Sequence, residues 1–379
     1  RRTSSAASGS SGSVIGRPRS PHHPARSLGA VQVHHLLSVD GEIVFDMDPE
    51  VVTPAAGGTR MAEDVTVDEL ALLARAMTYK LAVFEARMGG AKAGIRPRLL
   101  DSRAETIARY CEEIQPMVDE GRFFTGADLG TTTADFAGFG DDTPGVLREV
   151  IDGVGFEELV TGRGVVAAAA AWLGTLEGRT VAVEGFGKVG HGVAREVVRR
   201  GGRVVAVSTL RGAVAKAGGF DVDELVAARA EHGESFVHHL GLDVHLPREL
   251  HELRVDVLVP GARVGVYDAA LAARVQAEVI APAANVPYTV GGLAELRARR
   301  VVALPDFVCN GGAVLAYRAS AALTAAEVLA RVDREIGDRI EAARLAKMDP
   351  IRHAALLAET FLTTWVPADQ RPDGPAVAP

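Results

Sequence analysis

The sequence predicts an α/β protein of two domains, the second built on a parallel sheet. Three observations point there. The chain has 379 residues, enough for two domains with a core each. From Arg179 onward, short β-branched runs alternate with helical stretches, the pattern of a parallel sheet covered on both faces. Before that point, strands and helices alternate around clusters of glycine and polar residues, a different texture that marks a separate unit.

Residues 1–40 read as a disordered tail. The first 27 are rich in Ser, Arg and Pro and contain no acid, a transit-like composition without an amphipathic stripe. The first domain is expected over residues 41–160. GEIVFDMD, from Gly41, alternates like a half-buried strand, and TPAAGGTRM (53–61) is a small-residue turn. Thr66 and Glu69 form a capping box, followed by Leu70, Leu73, Met77 and Leu81 at helical spacing. Lys80 therefore sits on a helix, and Lys92 on the Gly-rich loop after it. Ser102 and Glu105 open a second helix whose end Pro116 marks or kinks. RFFTGADLGTTTADF (122–136) reads as a short strand, a polar turn and a new helix start. Polar residues bunched at a strand end suit a site better than a core.

The second domain is expected over residues 161–345. An Ala-rich helix (161–178) bridges into it, and residues 179–208 read as strand, tight turn, helix, strand. Further strands are expected at 255–260, 277–282 and 300–305, with helices between them. A long helical region after residue 312 leaves the sheet, residues 346–366 complete the first domain, and 367–379 form a proline-rich tail.

Composition excludes several classes of function. A net charge of −8 argues against nucleic-acid or anionic-membrane partners. No apolar run approaches the roughly 18 residues of a membrane span. Two cysteines, Cys111 and Cys309, without CxxC spacing exclude a disulfide scaffold and indicate a reducing, cytoplasmic compartment. The histidine pairs at 22–23, 34–35 and 238–239 have no further ligands at metal spacing, so no metal is expected. Only five lysines occur, and two of them, Lys80 and Lys92, fall close together. Lysine, unlike arginine, can release its proton when desolvated.

GFGKVG (185–190) fits G-x-G-x-x-G after a strand and before a helix, within a βαβ unit of about 30 residues, the dinucleotide fingerprint of a Rossmann-type domain. Gly185 permits the tight turn, Gly187 lets a pyrophosphate approach the backbone, and Gly190 lets helix and strand pack closely. Phe186, Lys188 and Val189 complete this loop, whose helix start offers amide donors to phosphates. At the end of the next strand stand Ser208, Thr209 and Arg211. Thr209 occupies the place of the acid that would select NAD, and Arg211 could pair the 2′-phosphate of NADP, so either cofactor fits.

The ordered series GGTRM, AMTYK, GGAKAGI, GADLGTTTAD, TGRGV, GFGKVG, PGA (260–262), AAN (283–285) and PDFVCNGGAV resembles the amino-acid dehydrogenases acting on glutamate, leucine, phenylalanine and valine, over residues 41–345. The resemblance implies oxidative deamination of an L-amino acid to a 2-oxo acid and ammonia, with hydride passed to NAD or NADP. It also implies a homo-oligomer assembled through the first, substrate-binding domain. Lys80, with Gly57 and Gly58, would bind the substrate through its α-carboxylate. Lys92 would be the catalytic lysine, and Asp128 would shuttle the proton on the substrate nitrogen. A second ammonium, a carboxylate-poor loop and cleft closure would all favour an unprotonated Lys92. Thr161, Ala262 and Asn285 would contact the cofactor, and Asn310 would orient it or the substrate. The chain departs from the family pattern at Gly311 to Ala313 and at Asp268.

In the glutamate-specific branch, a lysine commonly precedes the GG of the first motif and pairs with the side-chain carboxylate. Here that place is Ala56. Burying a carboxylate without its cation costs several kcal/mol, roughly, so an apolar substrate of the leucine, valine or phenylalanine type is expected. The alternatives are a glutamate dehydrogenase with a displaced anchor, or a nucleotide-binding regulatory protein without turnover.

Overall fold

The computed structural model describes residues 31–98, 101–139, 145–151 and 153–379. Its first sheet contains β1 (Gln32–His35), β2 (Gly41–Phe45), β3 (Ala55–Ala56), β4 (Thr59–Met61), β5 (Gly89–Ile95) and β6 (Phe123–Phe124). The order is β1-β2-β5-β3-β6, with β4 also on β5. The chain thus enters the fold at Gln32 instead of after residue 40, because Val33 pairs with Val44 in an antiparallel ladder. The transit-like stretch and the pair His22–His23 lie outside the described residues.

Strand β2 is buried on both faces, not one. Val44 packs with Leu70, Ala71 and Ala74 of helix α1 (Val67–Val83). Ile43 and Phe45 point the other way, onto Ile107, Tyr110 and Ile114 of helix α2 (Arg103–Asp119). Side chains alternate across a strand, so one sheet serves two helical layers. The expected caps are present, Thr66 accepting from the Glu69 amide and Ser102 from the Glu105 amide. Pro116 does not end α2, which runs on to Asp119.

The GGAKAGI segment is not a loop. It is β5, a central strand with every residue buried. Its glycines are set by packing: a Cβ on Gly90 would stand 2.1 Å from the Ala74 carbonyl oxygen, and one on Gly94 2.4 Å from Val65 Cγ1. Only bare backbone lets α1 lie this close. Alternation then puts Lys92, between those glycines, on the same face of the sheet.

A short hairpin, β7 (Val150–Ile151) and β8 (Val154–Gly155), leads into helix α3 (Phe156–Leu173). The helix starts five residues before the expected Thr161, with Glu157 and Glu158 in its first turn, where the helix dipole favours acids. The second sheet contains β9 (Thr180–Val183), β10 (Arg203–Thr209), β11 (Gly212–Ala215), β12 (Val257–Val259), β13 (Val279–Ile280) and β14 (Val302–Ala303). Its order is β11-β10-β9-β12-β13-β14, parallel except for β11, which folds back on β10 as a hairpin edge. The sheet is flanked by α4 (Lys188–Arg199), α5 (Val222–His232), α6 (Ala269–Ala272) and α7 (Val290–Ala298).

The long helical region predicted after residue 312 is broken. Helices α8 (Asp306–Cys309) and α9 (Gly312–Tyr317) precede α10 (Ala325–Leu345) and α11 (Pro350–Leu362). The break comes from a capping box at Thr324, whose side chain and amide engage Glu327. Helix α11 packs back on α1, where Tyr79 Oη donates to Glu359 Oε1 at 2.9 Å. Residues 367–379 are not a loose tail. Buried Arg75 of α1 pairs with Asp46 at 2.6 Å and reaches Asp373 and the Gly374 carbonyl. Ala378 then bonds Tyr288 beside the second sheet and buries itself against Leu73, Ala76 and Val286. Among the described residues, no helix is long and apolar enough to cross a membrane.

Candidate active site

The two sheets face each other across a cleft of about 810 Å³, lined by Arg60, Asp128, Glu157, Thr161, Gly187 and Asn285 among others. On the first sheet, Lys92 Nζ lies 2.8 Å from Asp128 Oδ2, with the lysine side chain buried. Asp128 also takes Arg60 Nε at 3.0 Å, and Arg60 in turn pairs with Glu69. Burial alone would raise the Asp128 carboxyl, but the charges and hydrogen bonds of Lys92 and Arg60 hold it well below the usual carboxylate range. The polar turn is held by Thr131, whose hydroxyl accepts from the Asp128 amide and donates to the Thr59 carbonyl. That explains the Thr-rich text after GADLG.

The GG of the first motif has two separate purposes. A Cβ on Gly57 would overlap the Ala91 carbonyl oxygen at 1.6 Å, so this glycine lets the turn before β4 cross β5. One on Gly58 would sit 3.2 Å from Asp128 Cβ and 3.3 Å from Lys92 Nζ. Gly58 therefore keeps the space over the ammonium open.

Lys80 lies within electrostatic reach of Lys92, Asp128 and Asp306. Its Nζ donates to Asn285 Oδ1 at 2.9 Å, the same oxygen that Asn310 Nδ2 reaches at 3.0 Å. Burial lowers the Lys80 pKa to about 8, with Asp306 opposing the shift and Lys92 adding to it. Lys80 is thus a depressed amine, and Lys92 has a carboxylate partner that the sequence did not place beside it. Asp306 is itself raised by burial, although it accepts from the Val286 amide. Asn310 Nδ2 also donates to the Ala283 and Ala284 carbonyls, which fixes its amide orientation. Its Oδ1 is buried without a partner, an acceptor available to one ligand N–H.

On the second sheet the glycine turn has the geometry a dinucleotide needs. Gly185 has φ +77°, and a Cβ on Gly190 would stand 2.4 Å from the Gly185 carbonyl oxygen. A Cβ on Gly187 would meet nothing within 4 Å, so that residue faces open space at the start of α4. There the first-turn amides of Lys188, Val189 and Gly190 have no intrahelical acceptor. These features fit a pyrophosphate.

Other expected contacts land differently. Phe186 turns its ring into the core, beside Phe236 and His191, so only its backbone belongs to the loop. Lys188 pairs with Glu158 at 3.4 Å. Ser208 holds the turn, its carbonyl accepting from the Phe186 amide. Thr209 is buried with its hydroxyl donated to the Glu234 carbonyl, and Arg211 is exposed just beyond it. The Thr161 hydroxyl is spent on the Glu157 carbonyl in its own helix. Ala262 and Asn285 do line the cleft.

Sequence reasoning missed four site residues. Arg60 was visible in GGTRM, but its bond to Asp128 joins positions 68 apart. Glu184 directly follows β9, and its Oε1 lies 3.2 Å from buried His251 Nε2. Its Oε2 accepts from the Gly261 amide and so holds the PGA loop against the glycine turn. Glu157 of α3 and Tyr317 of α9 meet where the two helices pack, Tyr317 Oη donating to Glu157 Oε2 at 3.2 Å. No local pattern flags such pairs.

With this geometry in view, the likeness to known proteins is specific. The Glu/Leu/Phe/Val dehydrogenase family model matches residues 153–343, and the dimerisation-domain model of the same family matches 49–144. A glutamate dehydrogenase of Thermotoga maritima is 34% identical over 282 residues, 69% of this chain and 67% of that protein. An NADP-specific glutamate dehydrogenase A1 of Halobacterium salinarum is 34% identical over 281 residues, 69% of this chain and 67% of its own length. Among solved structures, a hetero-hexameric glutamate dehydrogenase from Thermus thermophilus in a leucine-bound form superposes with a TM-score of 0.71 at 28% identity, covering 85% of this chain and 83% of that one.

Proposed function

This chain belongs to the Glu/Leu/Phe/Val dehydrogenase family, and from that premise we propose how it deaminates an L-amino acid to the 2-oxo acid and ammonia with NAD or NADP. The observation that carries the reading is the contact of buried Lys92 with Asp128 at 2.8 Å, with Lys80 in electrostatic reach, in the cleft that the glycine turn also lines. When bound, the cofactor supplies the hydride acceptor. Lys80 anchors the substrate α-carboxylate by a charge-assisted bond. Asp128 takes a proton from the substrate ammonium, freeing the nitrogen lone pair to form the C=N bond as hydride leaves Cα. Lys92, once its own proton has passed to solvent, holds the water whose oxygen adds to that carbon and accepts its proton. Asp128 then returns a proton to nitrogen, and the C–N bond breaks as the hydroxyl O–H proton passes to the departing ammonia, leaving the carbonyl and an ammonium ion.

Arg60 is a positioning residue in this scheme, keeping the Asp128 carboxylate ionised and aimed. Closure of the cleft would exclude bulk water from these steps. For assembly, the match of residues 49–144 to a dimerisation domain supports a homo-oligomer formed through the first sheet.

Two readings of the substrate side chain stand. Ala56, where the glutamate branch carries lysine, supports an apolar substrate of the leucine, valine or phenylalanine type. The names of the relatives support glutamate, with its carboxylate held elsewhere. Reduction of NAD and of NADP, followed with a panel of L-amino acids, tests both. Lys92→Ala and Asp128→Asn should each lower kcat by about 10³ or more, while the dissociation constant of the reduced cofactor stays near wild type. Full activity in Lys92→Ala would overturn the assignment.

A further inference from the structure

The wall of the cleft opposite Lys92 carries a charge that the chemistry above does not use. Glu157, in the first turn of α3, lines the cleft with Asp128, Thr161 and Asn285. Its Oε2 accepts from Tyr317 Oη at 3.2 Å, and Tyr317 ends α9, the short helix following Asn310. The same hydroxyl lies 3.7 Å from where a Cβ on Gly126 would stand. Gly126 is next to the GG turn, since its carbonyl accepts from the Thr59 amide and Phe124 accepts from Gly57. The Glu157–Tyr317 pair therefore closes the space bounded by Ala56, Gly58 and Asp128, where a substrate anchored on Lys80 would extend its side chain.

At its Glu157 end this space is bordered by a second carboxylate, Glu158. Glu158 is adjacent but neutralised by Lys188 at 3.4 Å, and Asp128 is occupied by Lys92 and Arg60. Among the described residues no cation forms an ion pair with Glu157. Burial and the neighbouring Glu158 raise its carboxyl above the usual range, with Tyr317 and Lys188 opposing. Such a carboxylate is costly until a donor reaches it.

We propose that Glu157, held by Tyr317, reads the end of the substrate side chain, rejecting a carboxylate and accepting a hydrogen-bond donor such as an amide, indole or ammonium N–H. This rests on the dehydrogenase reading above and narrows its substrate class. Glutamate would bring one carboxylate against another, whereas a donor completes the acceptor that Tyr317 leaves half-satisfied. Tyr317 is the positioning residue; Glu157 touches the substrate.

Glutamine and glutamate have nearly the same shape and differ in the charge that Glu157 would sense. Wild-type enzyme should show kcat/KM for L-glutamine at least tenfold above that for L-glutamate. Glu157→Gln should shift that ratio at least tenfold towards glutamate, and Glu157→Asp should restore part of the preference. Tyr317→Phe should weaken discrimination less than Glu157→Gln does. A wild-type preference for glutamate, or a ratio unmoved by Glu157→Gln in a variant that still binds reduced cofactor like wild type, overturns the proposal. A change confined to cofactor affinity also overturns it, placing Glu157 with the nicotinamide. If wild type turns over no amino acid at all, the dehydrogenase reading fails instead, so the two failures are distinct.

Discussion

Replacing Lys80 with methionine should stabilise the protein while destroying its affinity for substrate. The ammonium is buried, and its pKa falls from an ordinary 10.5 to about 8 chiefly through burial. At about 1.4 kcal/mol for each pH unit, the folded state holds this charge at a cost of about 3 kcal/mol at neutral pH. Methionine matches the length of the chain and removes the charge. It also removes the bond to Asn285, whose Oδ1 keeps Asn310 as donor, a loss of about 1 kcal/mol. The net gain near pH 7 is thus about 2 kcal/mol. The sign with pH follows from proton counts. Between pH 8 and 10.5 the unfolded wild type keeps the lysine proton that the folded form has lost, so wild-type stability rises there relative to the variant and the gain shrinks towards zero or below. Urea unfolding of both proteins at pH 7 and pH 9.5, at fixed subunit concentration, measures it. A variant less stable than wild type at pH 7, or a difference that does not change with pH, refutes the argument. The same titration should raise KM for the amino acid about tenfold per pH unit above pH 8, as the anchor loses its charge.

Three further outcomes are expected. Gly90→Ala puts a Cβ 2.1 Å from the Ala74 carbonyl oxygen and 2.3 Å from the Thr78 amide, both backbone of α1. Unfolding should show a loss at or beyond the upper end of the usual range of about 1–3 kcal/mol, and activity should fall as β5 and Lys92 shift. Gly187→Ala meets nothing within 4 Å, so its thermal midpoint should match wild type within about 1–2 °C while the cofactor dissociation constant rises about tenfold or more. Arg75→Leu leaves Asp46 buried without its 2.6 Å partner, at a cost of about 3–5 kcal/mol. It also releases Asp373 and Gly374, so hydrogen exchange should speed up around residues 371–378 as well as in α1.

Local signals were legible wherever the chemistry of one or two neighbouring residues decides the conformation. Thr66 and Ser102 announce their helices by hydroxyls that only a helix start can use. Gly185 to Gly190 announce a phosphate loop, because a left-handed turn followed by a helix leaves few other roles for that spacing. GGAKAGI misled for a physical reason: glycine marks flexible turns and close packing alike, and the difference lies in α1, ten residues and more away. Residues 32–35 and 371–378 were read as tails because their order comes from other segments, β2 for the first and α1 for the second. Arg60, Glu157, Glu184 and Tyr317 were silent because their partners lie far along the chain, and a lone Arg or Glu is ordinarily a solvated side chain.

The sequence by itself determined the α/β class, the order of motifs, the family, and the identity of Lys80, Lys92 and Asp128 as candidates. Each of those follows from residue type and spacing, which survive without coordinates. The tertiary structure alone decided that the Lys80 ammonium is depressed. Depth of burial and the nearest counter-charge set a pKa, and both arise only when β5, α1 and the Asp128 turn are brought together. It also decided that Tyr317 holds Glu157 at the cleft wall, because α3 and α9 pack together only in the folded chain.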